Sequence, residues 1–142
     1  MVERILVPMD RSTLAEQALS YAFELYPEAD ITVFHVVGVP SKMMGEAAGL
    51  ALEDDIDAAA HRHAEPVFTK AKTIAAESDR SIDTAIGLGQ PGRAIVRKAE
   101  AFDAIVMGSH GRHSEDITRS FLVGNVAKTV FQRSPVSVTT VR

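Results

Sequence analysis

The sequence predicts one α/β domain: a single doubly wound five-stranded parallel sheet with helices on both faces. Three observations predict it. Short apolar, β-branched runs alternate with stretches of helical periodicity in the order β-α-β-α-β-α-β-α-β. The run Ala104-Ile105-Val106-Met107 carries no charge on either face, as a central parallel strand requires. No internal repeat or low-complexity linker interrupts the alternation, and 142 residues suit one domain over positions 1–142.

Ile5-Leu6-Val7, closed by Pro8 and Asp10, reads as a buried first strand. Thr13 and Glu16 have the spacing of a capping box for the helix that follows. Leu14, Ala18, Tyr21, Ala22 and Leu25 recur at helical spacing, and Pro27 stops that helix. Ile31-Thr32-Val33-Phe34-His35-Val36-Val37 is a second strand, dense in β-branched residues. Residues 38–49 form a connection longer than usual, expected to act as a flap, in which Met43 and Met44 either cover a bound base or belong to an untethered loop.

Glu53-Asp54-Asp55 reads as a solvated helix start, favoured by the helix dipole. Ile56, Ala60, Ala64, Val67, Ala71 and Ile74 then form one stripe, with Pro66 expected to kink or split the helix. Residues 82–86 alternate like a third strand at a sheet edge, and Gly89-Gln90-Pro91 starts the next helix, with proline at its first position. Ala94, Ile95, Ala99 and Phe102 are the apolar face of that helix. After the fourth strand, Val123, Val126, Ala127, Val130 and Phe131 mark a further helix, broken by Pro135. Val136-Ser137-Val138-Thr139-Thr140-Val141 is the fifth strand.

Composition narrows the function. The apolar fraction is 46%, the charged fraction 24% and the net charge −4, so a nucleic-acid partner, which calls for a basic excess, is not expected. No cysteine is present, which excludes disulfides and thiolate metal sites. No signal peptide opens the chain and no apolar run reaches the roughly 20 residues of a spanning helix, so the expectation is a cytoplasmic protein without membrane insertion.

Chemistry concentrates in the last third. A buried strand runs into Gly108-Ser109-His110-Gly111, a polar loop follows, and Gly124 opens an amphipathic helix. Backbone N–H groups at such a turn and at a helix N-terminus face one space and bind phosphate without a charged side chain. No Gly-Lys-Ser/Thr follows, so this is not a P-loop, and the third glycine comes too late for the dinucleotide fingerprint. In a doubly wound sheet, ligands bind beyond the carboxyl ends of the strands where strand order reverses. Asp10, Val36 and the Gly108 turn all fall at such ends.

At this point the chain resembles the universal stress protein family along essentially its whole length. The resemblance is carried by Ile5-Leu6-Val7-Pro8-Met9-Asp10-Arg11-Ser12, Phe34-His35-Val36, Met107-Gly108-Ser109-His110-Gly111, Val123-Gly124-Asn125-Val126-Ala127 and Arg133-Ser134-Pro135-Val136-Ser137-Val138. It implies a flavodoxin-like sheet of the adenine nucleotide alpha hydrolase type, with strand order 3-2-1-4-5. It also implies ATP as the ligand, alone or with Mg2+ or Mn2+. Carried over by position, Pro8, Asp10, Val36 and Met107 frame adenine and ribose. Gly108 and Gly111 approach ribose and phosphates, and Gly124, Asn125 and Val126 offer N–H groups to the phosphate tail.

Two departures stand out. Residues 112–123 number twelve, where the family motif has nine, and Asn125 replaces the usual Ser or Thr. The longer loop carries Glu115 and Asp116, unfavourable beside a triphosphate unless they point outward or share a cation, and Arg112, His113 and Arg119, which offset them. Asn125 still donates through its amide.

Each residue also has a plainer reading. Asp10 holds a ribose or simply favours a helix N-terminus. Gly108 and Gly111 serve backbone conformation, and Gly124 close packing. His110 either contacts a phosphate or is an exposed turn residue. His61 and His63, two apart on a helix, face different directions, and no metal site is expected there. His35 is expected to be packed and hydrogen-bonded.

The expected function is a stress-response regulator that binds adenine nucleotide and acts by ligand-dependent loop ordering and through its dimer surface. No enzyme is expected beyond slow ATP hydrolysis, since no Walker lysine or acidic metal pair is legible and no catalytic residue is assigned. The alternative is a dimer module that has lost ATP binding through its lengthened loop. A phospho-receiver lacks its acidic pair after the first strand, where Asp10 stands alone, and a related nucleotide-hydrolysing enzyme would show saturable turnover. The partners implied are a second copy, through the Val136 to Val141 strand, and a regulatory protein of unknown identity.

Overall fold

Ile5, Leu6 and Val7 have no solvent-exposed surface, and the fold is arranged around the strand they form. The computed structural model describes residues 2–38, 53–110 and 124–142. In chain order these form β1 (Arg4–Pro8), α1 (Thr13–Leu25), β2 (Asp30–Val37), α2 (Glu53–Glu77), β3 (Asp83–Leu88), α3 (Pro91–Ala99), β4 (Ala104–Gly108), α4 (Asn125–Arg133) and β5 (Ser137–Val141). The sheet order is β3-β2-β1-β4-β5, with every neighbouring pair parallel. The expected fold class and strand order are those observed.

Chain direction across the sheet reverses once. From β1 the chain steps through β2 to β3, then crosses back to β4 on the far side of β1 and on to β5. Parallel crossovers of one hand must then place the first two helices on one face and the last two on the other. The core divides that way. Ala15, Ala18, Leu19, Ala22 and Phe23 of α1 join Val67, Ala71, Ile74 and Ala75 of α2 against Ile5, Val7, Ile31, Val33 and Val106. Ile95 and Ala99 of α3 join Ala127 and Val130 of α4 against Leu6, Phe34, Ile105 and Met107. Burial on both faces explains the apolar runs of β1 and β4, because an outward-facing polar position does not exist there.

Several local expectations are corrected. Ser12, not Thr13, caps α1: its Oγ accepts from the Ala15 N–H at 3.1 Å, and Thr13 is already helical, so the Thr13–Glu16 box does not form. Asp10 Oδ1 accepts from the Ser12 N–H at 2.8 Å and so sets the angle at which the chain enters α1. Pro66 lies inside α2 without splitting it. Tyr21, Leu25, Val126 and Phe131, read as apolar-face residues, are exposed. Helical spacing marks an apolar face but does not fix how much of that face the sheet covers. Pro91 does begin α3, with the Gln90 side chain accepting from the Arg93 N–H at 3.0 Å.

Two polar clamps fix the edges of this frame. Asp103 accepts from the backbone N–H groups of Glu3 and Arg4, each at 2.9 Å, locking the amino ends of β1 and β4 together. These bonds, with Arg4 nearby, hold its carboxyl below the usual carboxylate range. Arg80 donates to the Ala29 carbonyl at 2.7 Å and reaches the carbonyls of Phe23 and Tyr26 at 3.5 Å, tying the end of α1 to the start of β2.

Candidate functional site

Because all five strands are parallel, their carboxyl ends lie along one edge, and the reversal of order opens a crevice there between β1 and β4. Pro8 and Gly108 are the last residues of those two strands, and Val36 is the penultimate residue of β2. Pro8 is buried. Met107 is buried in the α3/α4 cluster, and Val36 packs against that cluster at its margin. Asp10, half-buried, stands just past β1. The Met9 N–H donates to the Phe34 carbonyl at 2.8 Å, so β1–β2 pairing continues up to the residue that precedes Asp10.

The far wall is built from the Gly108 turn and the start of α4. The Ser109 N–H donates to the Val141 carbonyl at 2.8 Å, and the Ser109 carbonyl accepts from the Gly124 N–H at 2.8 Å. The two ends of the long loop are therefore joined at its base, and the N-terminus of α4 is held against the end of β4. Gly124 is the N-cap, in extended conformation, and makes no side-chain cap bond. No side-chain oxygen from the cap competes for the first N–H groups of the helix, those of Asn125 and Val126 among them. Both of these residues are exposed and Gly124 is half-buried. Gly111, residues 112–123 with their charged side chains, and Met43 and Met44 lie outside the described residues.

Two polar atoms in this turn are unusual. Ser109 Oγ and His110 Nδ1 are buried and have no hydrogen-bond partner among the described residues. Buried polar groups are ordinarily paired, because leaving one unpaired costs about 1–3 kcal/mol. Both belong to the turn that directly follows β4, at the carboxyl edge of the sheet. Ser109 was not singled out by sequence reasoning. A small polar residue between two glycines reads as turn filler, and nothing in its spacing reports that it is 2% exposed.

Gly108 has a definite packing reason. A Cβ there would stand 3.0 Å from Leu14 Cβ and 3.2 Å from its carbonyl carbon. The first turn of α1 thus approaches β4 too closely for a side chain. Among the described glycines only Gly89 has positive φ, so left-handed conformation is not what Gly108 supplies.

His35, on the α1/α2 face of β2, is buried as expected. Its Nδ1 lies 2.8 Å from the Met9 carbonyl oxygen and its Nε2 3.0 Å from Nδ1 of His63 on α2. The neighbouring His61 turns back along α2, its Nδ1 2.9 Å from the Asp57 carbonyl, so the two α2 histidines do point apart. Sequence reasoning missed the His35–His63 pair. The available signal was a strand histidine on the face that α2 covers, with His63 three residues after the buried Ala60.

A parallel five-stranded sheet whose strand order reverses between β1 and β4 defines the class of doubly wound α/β domains. Within that class the chain matches the Universal stress protein family over residues 1–142 and belongs to it. It is similar to universal stress protein UspA from Lactobacillus plantarum, at 26% identity and a TM-score of 0.77, over 99% of this chain and 98% of that one. It shares its fold with a universal stress protein solved in complex with cAMP, at 18% identity and a TM-score of 0.69, over 99% of this chain and 97% of that one. The universal stress protein from Archaeoglobus fulgidus in complex with dAMP has 18% identity and a TM-score of 0.58, over 100% of this chain and 98% of that one. Among curated proteins none matches this sequence. No helix among the described residues is long and apolar enough to cross a membrane.

Burial holds the His35 pKa below its ordinary value of 6.5. The folded state thus disfavours the imidazolium, and below about pH 6.5 the unfolded chain binds more protons than the folded one. The contribution to stability is full above about 6.5 and is lost as pH falls through the lowered folded value. Thermal unfolding of the wild type should fall more steeply from pH 7.5 to about 5.5 than that of His35→Asn. Parallel Tm curves would contradict the assignment.

Proposed function

We propose that this protein is a non-enzymatic, adenine-nucleotide-binding regulator of the stress-response type, with ATP in the crevice between β1 and β4. The single observation that carries this reading is the closure of the long loop at its base. The bond between Gly124 and Ser109 holds the uncapped N-terminus of α4 beside the end of β4. The two ends of the loop that carries the three additional residues are thus bonded to each other. In this reading Pro8, Val36 and Met107 flank the base, and Asp10 accepts from ribose hydroxyls. Gly108 and Gly111 allow close approach of the ligand. Ser109 and His110 gain partners, and Gly124, Asn125 and Val126 direct N–H groups to the phosphates.

Adenine is the base of choice because two proteins of this fold are described in complex with cAMP and dAMP. ATP, with or without Mg2+ or Mn2+, extends that to a full phosphate tail. Among the described residues no group of three metal-ligating side chains exists, so a cation would travel on the phosphates. The mechanism is occupancy: the bound nucleotide biases the conformation of residues 112–123, and with it a surface that a regulatory partner reads in the cytoplasm.

β5 is an edge strand of the sheet formed by the described residues, half-buried from Val138 to Val141. Such an edge invites pairing, and we place a second copy there, forming a homodimer. Val138→Asp should yield monomers by size-exclusion chromatography with light scattering; an unchanged dimer would exclude β5 as the interface.

Calorimetric titration with ATP, with and without magnesium, tests the nucleotide reading. The wild type should bind with Kd on the order of micromolar, and Gly111→Val should weaken this at least about tenfold. No heat and no thermal stabilisation of the wild type would favour the dimer module that has lost its nucleotide.

A further inference from the structure

We propose that His35 is a positioning residue for the crevice and that its hydrogen bond to His63, which a second proton on the pair breaks, makes nucleotide affinity depend on pH. This rests on the nucleotide-binding reading above.

The geometry of the pair is specific. The ring planes differ by 17° and the centroids are 5.2 Å apart. With 3.0 Å between His35 Nε2 and His63 Nδ1, the rest of that separation is taken up by the two ring radii. The rings therefore lie edge to edge and nearly coplanar, which is the alignment of an N–H···N hydrogen bond, not of face stacking. A carbonyl oxygen only accepts, so the Met9 contact requires the proton on His35 Nδ1. In the neutral ring His35 Nε2 is then an acceptor, and His63 Nδ1 donates to it. A metal ion does not fit between two nitrogens that face each other at this distance, since each bond alone would need about 2.0 Å.

The pair ties three elements to the crevice. His63 sits on α2, His35 on β2, and the Met9 carbonyl held by His35 immediately precedes Asp10. The Asp10 carboxylate in turn receives the Ser12 N–H at the start of α1. Both backbone groups of Met9 are thereby bonded, N–H to Phe34 and C=O to His35, and the direction in which the chain delivers Asp10 is set.

Protonation changes this linkage in two steps that belong to the pair. A first proton leaves the bond intact. Either His63 carries it on its outer Nε2 and still donates through Nδ1, or His35 carries it and donates to His63. A second proton puts N–H against N–H at 3.0 Å and breaks the contact. The charged and titratable groups that face His35 are Asp10 and Arg11 from the segment after β1 and His63 from α2. On its other flank β3 places Ile86 opposite it. Asp10 favours a cationic His35, Arg11 and His63 oppose it, and burial opposes it most. A second proton therefore releases the His63 clamp and sets a cation near the carboxylate proposed to hold the ribose.

The test is ATP affinity from pH 7.5 to about 5.5 in wild type, His63→Gln and His35→Asn. ATP's own titration is common to all three and cancels in the comparison. Gln at 63 donates to His35 without titrating, and Asn at 35 donates to Met9 without titrating. The wild type should lose about tenfold more affinity on acidification than either variant, the equivalent of one pKa unit of linkage. His35→Asn should remain within about threefold of wild type at pH 7.5, where His35→Leu should lose about tenfold. Nitrogen-15 NMR of the histidine rings supplies the independent readout: His35 should show the Nδ1–H tautomer that the Met9 contact requires. ATP binding with the same pH profile in all three proteins overturns this proposal and leaves the nucleotide site standing. An Nε2–H tautomer at His35 also overturns it. The absence of ATP binding at every pH overturns the nucleotide reading and this proposal with it.

Discussion

The parallel pairing of β1 with β4 is the constraint on which the rest depends. These strands are far apart in sequence, yet Ile5 lies opposite Ala104 and Leu6 opposite Ile105, with Asp103 bonded to the backbone of Glu3 and Arg4 below them. Once they are neighbours, strand order must reverse between them. The helices must then divide between the two faces, and the chain segments leaving the two carboxyl ends must diverge. The crevice is a consequence of that divergence, not of any residue that lines it. Burying Ile5, Leu6, Val7, Ile105 and Val106 without exposed surface secures the pairing, at about 1.5–3 kcal/mol for each large side chain.

Function then depends on how the ends of the strands are finished. On the β1 side, Asp10, Ser12 and Ala15 form a relay of local bonds that begins α1, and Met9 is held from β2 by Phe34 and His35. On the β4 side, Ser109 bonds both to β5 and to Gly124, so one residue's backbone joins the sheet edge to the start of α4. Loop insertions are tolerated when the backbone at their base is hydrogen-bonded elsewhere, and this base is bonded. The bond between Gly124 and Ser109 thus fixes the base of the segment that carries the additional residues.

Much of this was legible in the sequence, for physical reasons that differ by element. β4 was readable because a strand buried on both faces has no polar alternation to confuse it with a surface strand. α3 was readable because Pro91 marks its first turn. The exposed Val126 and Phe131 were not, since a regular apolar spacing looks the same whether one or two helix faces are covered. Ser12 as the cap of α1 was obscured by Thr13, an equally good capping residue one position later. The candidate site was legible as glycines and strand ends, whose positions follow from topology. The Ser109 and His110 atoms, buried without a partner among the described residues, and the His35–His63 bond depend on side-chain burial and on contacts between distant segments, which no local pattern encodes.

The most direct measurement of the central claim is an amide nitrogen–proton correlation spectrum of the labelled protein during titration with ATP. Saturable shifts are expected at Asp10, Val36, Ser109, His110, Asn125 and Val126, with Gly89 and Asp103 unmoved. Shifts confined to other parts of the surface, or none at saturating ATP, would contradict a nucleotide site at the β1–β4 crevice.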